Sequence, residues 1–387
     1  MTSSTADRLQ AALGAAITAL ALLGGAPAAA SSLAAEEAAL ARAQPKDRTL
    51  HRLQAGVHAM RENRLDAAAG HFDEALGSIE SVFSNAEGAA RARSLWYEEG
   101  AKDFKGEPYE RAMAYYYRGL IYLADADYEN ARASFRTALM QSSFAEEQQY
   151  RSGFATLMFL EGWANQLLAD PQAAESYAEA SKYRKDLPTP AAGANTLVIA
   201  ELAGSPRKVG DGIGNHEIVY RRAKRTPEKR VDLAFGSQPA QRLYAMEDLY
   251  VQATHRGPRA IDRIIAGKVV FQEGTGTIGD TLGTLASEGA VINAGLGGSA
   301  GAALGGVAAV GAIASLLATN VKPRADVRYW ANLPETLHIA TTRTSGDTPS
   351  TVTLFDEAGQ PVAADTLVQH QWTDRNGNRL VWIKTRQ

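Results

Sequence analysis

Residues 119–138 read GLIYLADADYENARASFRTA, and residues 56–75 read GVHAMRENRLDAAAGHFDEA. Aligned on their first glycine, the two stretches carry the same residue types at the same distances: alanine at 68 and 131, phenylalanine at 72 and 135, and alanine again at 75 and 138. Apolar residues at spacings of three and four indicate helices. The two stretches therefore predict two copies of one helix–turn–helix unit, with a glycine where its helices approach closely.

A third, weaker copy begins at Gly162 and continues with Ala173 and Tyr177, with one residue fewer between the glycine and the alanine. Small residues at helix crossings and large aromatic residues in the gaps are typical of tetratricopeptide (TPR) repeats. A helical hairpin of this kind buries its apolar face only by stacking on a neighbour. We therefore predict an irregular TPR-like α-solenoid over residues 31–187, and a generic helical bundle is the alternative interpretation.

The chain changes character at residues 187–193 (LPTPAAG), which predict a linker. Short β-type runs follow at residues 196–200, 216–220, 231–235, 352–355 and 380–383. Asn376-Gly377 lies between apolar runs and predicts a β-hairpin with a type I′ turn. The predicted fold class is α+β: after the solenoid come a mixed strand and helix region over 188–288, a Gly/Ala-rich helical segment over 289–321, and a small β-rich C-terminal subdomain over 322–387.

Residues 1–30 have the layout of a Sec-type signal peptide. An apolar run rich in Ala and Leu spans residues 9–25, and Pro27 is followed by three alanines before Ser31. An apolar run with a small-residue cleavage site at this distance is typical of exported proteins, although Asp7 departs from the pattern. An ordinary Ala-rich helix is the alternative. We expect cleavage before Ser31 and a location in the periplasm, at or near the outer membrane.

Two stretches carry a resemblance to a known group of proteins: residues 104–119 (FKGEPYERAMAYYYRG) and 325–334 (ADVRYWANLP). They are similar to motifs of a group of bacterial envelope-associated TPR-like proteins and lipoproteins, which have an export signal, TPR-like helices and a C-terminal β region. The chain departs from the lipoproteins of that group because it has no lipobox cysteine. The resemblance implies an envelope location and a role in an assembly, and it implies no catalytic residues.

The sequence offers no catalytic, cofactor-binding or metal-binding set. It contains no cysteine, which excludes disulfides, thiolate metal sites and cysteine nucleophiles. Residues 274–279 match G-x-G-x-x-G, but residues 297–303, where a ribose-binding acid would follow, contain no carboxylate. His51 and His58 lie on one helix face and supply only half of a zinc site. We therefore expect no enzyme, no cofactor and no small-molecule substrate.

A basic segment over residues 221–230 (RRAKRTPEKR) separates two β-type runs. It could bind an anionic group such as a lipid headgroup, lipopolysaccharide or an acidic protein, or it could be a solvated hairpin that protects a sheet edge. The net charge of −3 gives no reason to expect a nucleic-acid partner. The candidate partner-binding residues are Trp96, Tyr116, Arg221, Arg222, Lys224 and Arg225. Among them, Tyr116 is expected to face outward, because its neighbours occupy the packing positions.

Residues 289–321 contain no charged residue, and Gly297, Gly301 and Gly305 recur at every fourth position. Small residues at this spacing let helix backbones approach closely, as in a glycine zipper. The segment is also long enough to cross a bilayer. A self-association helix, a buried helix or helical hairpin, and a membrane span are the competing interpretations.

Taken together, these features predict an exported scaffold that uses TPR-like helices to bind a protein partner in an envelope assembly. A membrane-inserted or self-associating oligomer built on residues 289–321 is the first alternative, and both a homo-oligomer and an association with the membrane stay open. An envelope enzyme that acts on polysaccharides is the second alternative. It would need an acid/base pair in a cleft, which no sequence motif marks.

Overall fold

A computed structural model of the chain describes residues 32–83, 103–142, 153–211, 217–224, 226–254, 325–346, 348–364 and 366–385. Within these ranges the chain forms eight α-helices and eleven β-strands, so that the fold is mixed α+β as predicted. The helices are α1 Leu33–Arg42, α2 Arg48–Arg61, α3 Leu65–Phe83, α4 Pro108–Ala124, α5 Tyr128–Ser142, α6 Ala155–Leu167, α7 Gln172–Tyr183 and α8 Leu249–Thr254. From α1 to α7, each helix packs against the next one along the chain.

The same turn joins the helices of three pairs, α2/α3, α4/α5 and α6/α7. Its central residue has a left-handed backbone, with φ of 58° at Asn63, 58° at Ala126 and 56° at Ala169. The amide of the following residue donates to the carbonyl five positions back, over 2.8 Å, 2.9 Å and 2.8 Å respectively. This is the Schellman motif, which satisfies the last carbonyls of the first helix and reverses the chain.

The repeat glycines lie where the paired helices cross. A Cβ atom added at Gly56 would lie 2.6 Å from the Phe72 ring, and one added at Gly119 would lie 2.5 Å from the Phe135 ring. In the third pair, a Cβ atom at Gly162 would lie 2.7 Å from the ring of Tyr177. These distances leave no room for a side chain, which explains why each pair has glycine on one helix and an aromatic residue on the other.

The strands form three sheets. Their bounds are β1 Thr196–Leu202, β2 Arg207–Asp211, β3 Glu217–Arg221, β4 Arg230–Phe235, β5 Gln241–Arg242, β6 Tyr244–Asp248, β7 Thr336–Thr342, β8 Ser350–Phe355, β9 Pro361–Val362, β10 Val368–Thr373 and β11 Arg379–Lys384. The central sheet has the order β10-β11-β1-β7-β6, a second sheet has the order β5-β4-β8-β9, and β2 pairs with β3. All pairs are antiparallel except β1 with β11.

The central sheet is buried on both faces because its side chains alternate between two cores. In β1, Leu197 and Ile199 pack with the helices, whereas Val198 and Ala200 pack with the four-stranded sheet. Strand β11 alternates in the same way. The result is three layers: helices, the central sheet and the second sheet.

Two sequence-based predictions about the β region need correction. The strands within 322–387 do not form a subdomain of their own, because β7 and β11 both pair with β1. The hairpin between β10 and β11 is confirmed, but its type I′ turn is wrong, since Gly377 has φ of 80° whereas Asn376 has no positive φ. Asp374 Oδ1 accepts the amides of Asn376 and Asn378, which favours the observed conformation.

The predicted signal peptide, the segment 289–321 and the motif at 274–279 lie outside the described residues. Among the helices of the described ranges, none is both long and apolar enough to span a membrane.

Candidate functional site

Glu201 is a carboxylate buried between the helices and the central sheet. It lies in β1 directly beside Lys384 of β11 in the parallel register. Neither side chain has exposed surface, and Lys384 Nζ donates to Glu201 Oε2 over 2.8 Å. Strand alternation explains the placement, because Glu201 follows Leu197 and Ile199 on the face that packs against the helices.

Three further side chains donate hydrogen bonds to the same carboxylate. Tyr116 Oη and Tyr117 Oη, from helix α4, lie 3.1 Å and 2.7 Å from its two oxygens. Trp382 Nε1, from β11, donates over 2.8 Å. With Lys384, the carboxylate therefore accepts hydrogen bonds from one helix and one strand, as a buried charge requires.

Burial controls the electrostatics of this cluster. It raises the pKa of Tyr116 and Tyr117 well above the ordinary tyrosine value, and the charge of Glu201 raises both further. The two hydroxyls are therefore donors at any physiological pH. Burial lowers the pKa of Lys384, while Glu201 beside it favours the ammonium form.

The cluster holds two layers of the fold together. Because Glu201 and Lys384 have no exposed surface, a solute does not reach them in this conformation. Breaking a buried ion pair by removing one partner leaves an uncompensated charge, which costs about 3–5 kcal/mol. The arrangement is therefore a clamp between α4 and the central sheet.

The expectation that Tyr116 faces outward is wrong, because its side chain is fully buried. Helix α4 packs against α3 and α5 and also against β11, so it has neighbours on several sides. The residues at positions 116 and 117 both reach Glu201 for this reason.

The central sheet covers the first helix of each pair, since α2 contacts β10, α4 contacts β11 and α6 contacts β6. At one edge, His370 Nε2 donates to the Arg61 carbonyl over 2.8 Å, and Trp372 Nε1 donates to Asn63 Oδ1 over 2.7 Å. Tyr128, at the start of α5, bonds to the β10–β11 hairpin. The chain's own sheet therefore occupies this side of the helices, so a peptide partner does not bind there in this conformation.

Two other buried carboxylates each join a helix end to a residue that is distant in the chain. Glu110 of α4 accepts the backbone amides of Trp330 and Glu107, each over 2.6 Å, and burial raises its pKa to about 7. Glu247 of β6 pairs with Arg184 and accepts from Gln252 Nε2 over 3.0 Å. Burial raises its pKa to about 7 as well.

The basic segment 221–230 connects β3 to β4, which belong to different sheets, so it is not the hairpin that one interpretation required. Arg221 and Lys224 are exposed. Arg222 is also exposed, but it already has two acidic partners in the same chain, with ion pairs to Asp248 at 2.8 Å and Glu335 at 2.7 Å. Of the other predicted partner-binding or self-association residues, Trp96, Arg225, Gly297, Gly301 and Gly305 lie outside the described residues.

The two histidines considered as half of a metal site have other roles. His51 Nδ1 lies 2.6 Å from Glu36 Oε1 of α1. His58 is buried, and burial lowers its pKa to about 4. In the part of the chain that the structure describes, no group of three His, Asp or Glu side chains could hold a metal ion.

Sequence reasoning missed Glu201 and Lys384. The signal that could have found them is a charge near the end of a largely apolar strand. Glu201 has this position in TLVIAEL at 196–202, and Lys384 has it in RLVWIK at 379–384, which also begins with Arg379. A strand buried on both faces reads as a continuous apolar run, so a charge within it needs a partner. These two charges pair because β1 and β11 are neighbours in the sheet, and the sequence alone does not show that they are.

Comparison of the chain with known protein families, with curated proteins and with solved structures found no match.

Proposed function

We propose that this chain is an exported scaffold of the bacterial cell envelope, whose helix pairs form an irregular TPR-like array that binds a protein partner. Export rests on the signal-peptide pattern of residues 1–30, and the envelope assembly rests on the resemblance of residues 104–119 and 325–334. The observation that carries the array is the recurrence, in three helix pairs, of one turn and one glycine–aromatic crossing.

The partner surface we propose is the outer face of the second helices, α3, α5 and α7. The first helices are excluded because the central sheet covers them. The second helices instead present exposed positions, such as Gly77 on α3 and Ala133 on α5. Repeat proteins bind partners on extended surfaces that the stacked repeats form together, and the second helices supply the part of that surface that the central sheet leaves open.

The test is site-specific photo-crosslinking in the producing cell. A photoreactive residue is placed at Gly77 or at Ala133, and as a matched control at Thr351, which is exposed on the second sheet. We expect one protein adduct from the two helical positions and none from position 351. Adducts only at position 351, or none at any position, would overturn the proposed surface.

Export is tested separately by sequencing the N-terminus of the chain recovered from the envelope fraction. We expect the mature chain to begin at Ser31. An intact N-terminus on cytoplasmic material would refute export. A chain that stays in the membrane after carbonate washing would favour the alternative in which residues 289–321 insert into the bilayer.

A further inference from the structure

Two arginines stand side by side on the outer face of the two-stranded ribbon β2–β3. The inner face of the ribbon carries Lys208 and Tyr220, and Lys208 Nζ lies 2.6 Å from Glu107 Oε1. Because strand residues alternate between faces, Arg207 and Arg221 belong to the outer face. They are directly opposite each other in the register, and both are exposed.

The backbone that carries these arginines is fixed by contacts at the end of β3. Arg207 Nε donates to the Arg222 carbonyl over 3.3 Å, which holds the guanidinium of Arg207 at the strand end. The amide of Ala223 donates to Glu335 Oε2 over 2.8 Å, and Arg222 Nη1 lies 2.7 Å from the other oxygen of the same carboxylate. Both arginines therefore start from an ordered backbone, with Cβ atoms about 4.5–5.5 Å apart.

Neither arginine of this pair is neutralised within the part of the chain that the structure describes. No described carboxylate lies within salt-bridge distance of Arg207 or Arg221, whereas the adjacent Arg222 has two acidic partners. Those two acids are outnumbered locally, because Lys224 follows Arg222 at an exposed position. Like charges directly opposite each other across two strands destabilise the strand pair. A bound anion would remove this repulsion.

The geometry of the donors indicates which anion fits. Among the described residues, the Nη groups of Arg207 and the guanidinium of Arg221 have no hydrogen-bond partner. A guanidinium presents paired N–H donors that match two oxygens of a phosphate. A phosphomonoester carries a charge of about −1.5 to −2 at pH 7, which balances two guanidinium groups, whereas a carboxylate balances only one.

We propose that Arg207 and Arg221 form a binding site for a phosphomonoester group, carried either by a soluble ligand or by a lipid headgroup. The site is narrower than the basic segment 221–230, because Arg222 and Arg230 already pair with acids of the same chain. It also includes Arg207, which lies outside that segment. The site does not depend on export or on the helical partner surface, so the purified chain is sufficient to test it.

The experiment measures the binding of two phosphate probes to the purified chain that begins at Ser31. Inorganic phosphate is titrated in solution by calorimetry, and vesicles of phosphatidylcholine with phosphatidic acid are co-sedimented with the chain, with pure phosphatidylcholine vesicles as the blank. We expect the wild type to bind at least one phosphate probe. Binding of the vesicles alone assigns the site to a lipid headgroup, and binding of free phosphate alone assigns it to a soluble ligand.

The variant Arg207→Gln/Arg221→Gln removes both guanidinium groups. We expect it to bind the same probe at least about tenfold more weakly, because the phosphate loses its charged donors on both sides. Removal of two opposed like charges should leave the chain at least as stable toward urea as the wild type. Weaker binding therefore does not come from unfolding.

The matched control is Arg343→Gln/Arg375→Gln, which removes the same charge at two exposed positions. Both lie near the Thr196 end of β1, because Thr342 and Arg379 pair with Thr196, whereas the ribbon follows the opposite end of that strand. The control should bind like the wild type. Equal weakening in the control would show that net charge, and not the ribbon pair, binds the probe.

The variant Arg207→Lys/Arg221→Lys keeps the charge and removes the paired donors. We expect its affinity to lie between those of the wild type and the glutamine variant. A lysine variant that binds as tightly as the wild type would overturn the two-arginine site. So would a wild type that binds neither probe, or a glutamine variant that binds as the wild type does. A glutamate-rich peptide that binds when neither phosphate probe does would overturn the proposed ligand class.

Discussion

Single glycines in this chain have two different physical roles, and substitution by alanine separates them. Gly119 has no room for a side chain, because its Cβ would lie 2.5 Å from the Phe135 ring, whereas Gly70 and Gly77 have no atom within 4 Å of such a Cβ. We expect Gly119→Ala to destabilise the fold by about 1–3 kcal/mol through overpacking. Gly70→Ala and Gly77→Ala should each stabilise it by about 0.5–1 kcal/mol, because alanine favours a helix. Urea unfolding measures all three, and equal signs would contradict this assignment.

His338 makes the stability depend on pH. Burial lowers its pKa to about 4, and its Nδ1 has no hydrogen-bond partner among the described residues. The unfolded chain, with a histidine pKa near 6.5, binds more protons than the folded one between about pH 6.5 and 4. The free energy of unfolding should therefore fall as the pH falls through this window, by up to about 1.4 kcal/mol per pH unit from this residue.

The variant His338→Leu removes this proton and also the unpaired nitrogen. We expect it to be at least as stable as the wild type at pH 7.5, and to lose less stability on acidification to pH 4.5. Other titrating groups, such as Glu110, are common to both proteins and cancel in the difference. Parallel curves of unfolding free energy against pH would show that His338 does not titrate as its burial requires.

The turns between paired helices each contain a residue with a left-handed backbone, which lowers the stability of the fold. Ala169 is exposed and has φ of 56°, a left-handed conformation that costs an L-residue roughly 1–2 kcal/mol. We expect Ala169→Gly to stabilise the chain by about 0.5–1 kcal/mol, after allowance for the greater freedom of glycine in the unfolded chain. The control Ala178→Gly, at an exposed position within α7, should destabilise by about 1 kcal/mol. Thermal unfolding of both variants checks the sign.

Local patterns in the sequence predict the elements well where one period dominates. The glycine and phenylalanine spacings at Gly56/Phe72 and Gly119/Phe135 depend on contacts within a helix pair, so they are visible in a short stretch. The pairing of β1 with β11 joins residues far apart in the chain, and no local period encodes it. Tyr116 was misplaced for the same reason, because its partner Glu201 comes from a distant strand.

In the whole molecule, the layers are held together by a few long-range polar contacts as well as by apolar packing. Tyr116 and Tyr117 of α4 meet Glu201 of β1, and Trp330 meets Glu110 at the start of the same helix. These contacts join the helices to residues that come later in the chain, in strand β1 and in the segment before β7. The helical array therefore does not stand apart from the β region, and any partner must approach surfaces that this packing leaves open.

Variants of Glu201 and Lys384 test how much the buried ion pair contributes to the stability of the fold. Lys384→Met leaves a buried carboxylate with only neutral donors, and we expect the free energy of unfolding to fall by about 3–5 kcal/mol. Glu201→Gln leaves a buried ammonium group and should also be strongly destabilising. The double variant contains neither charge, and its amide can still bond to Tyr117 and Trp382. Its free energy of unfolding should therefore lie much closer to that of the wild type than the sum of the two single effects predicts.

A double-mutant cycle by urea unfolding measures this coupling, which we expect to exceed about 1.5 kcal/mol for two contacting charges. Additive effects would mean that the two charges do not stabilise each other in the folded chain.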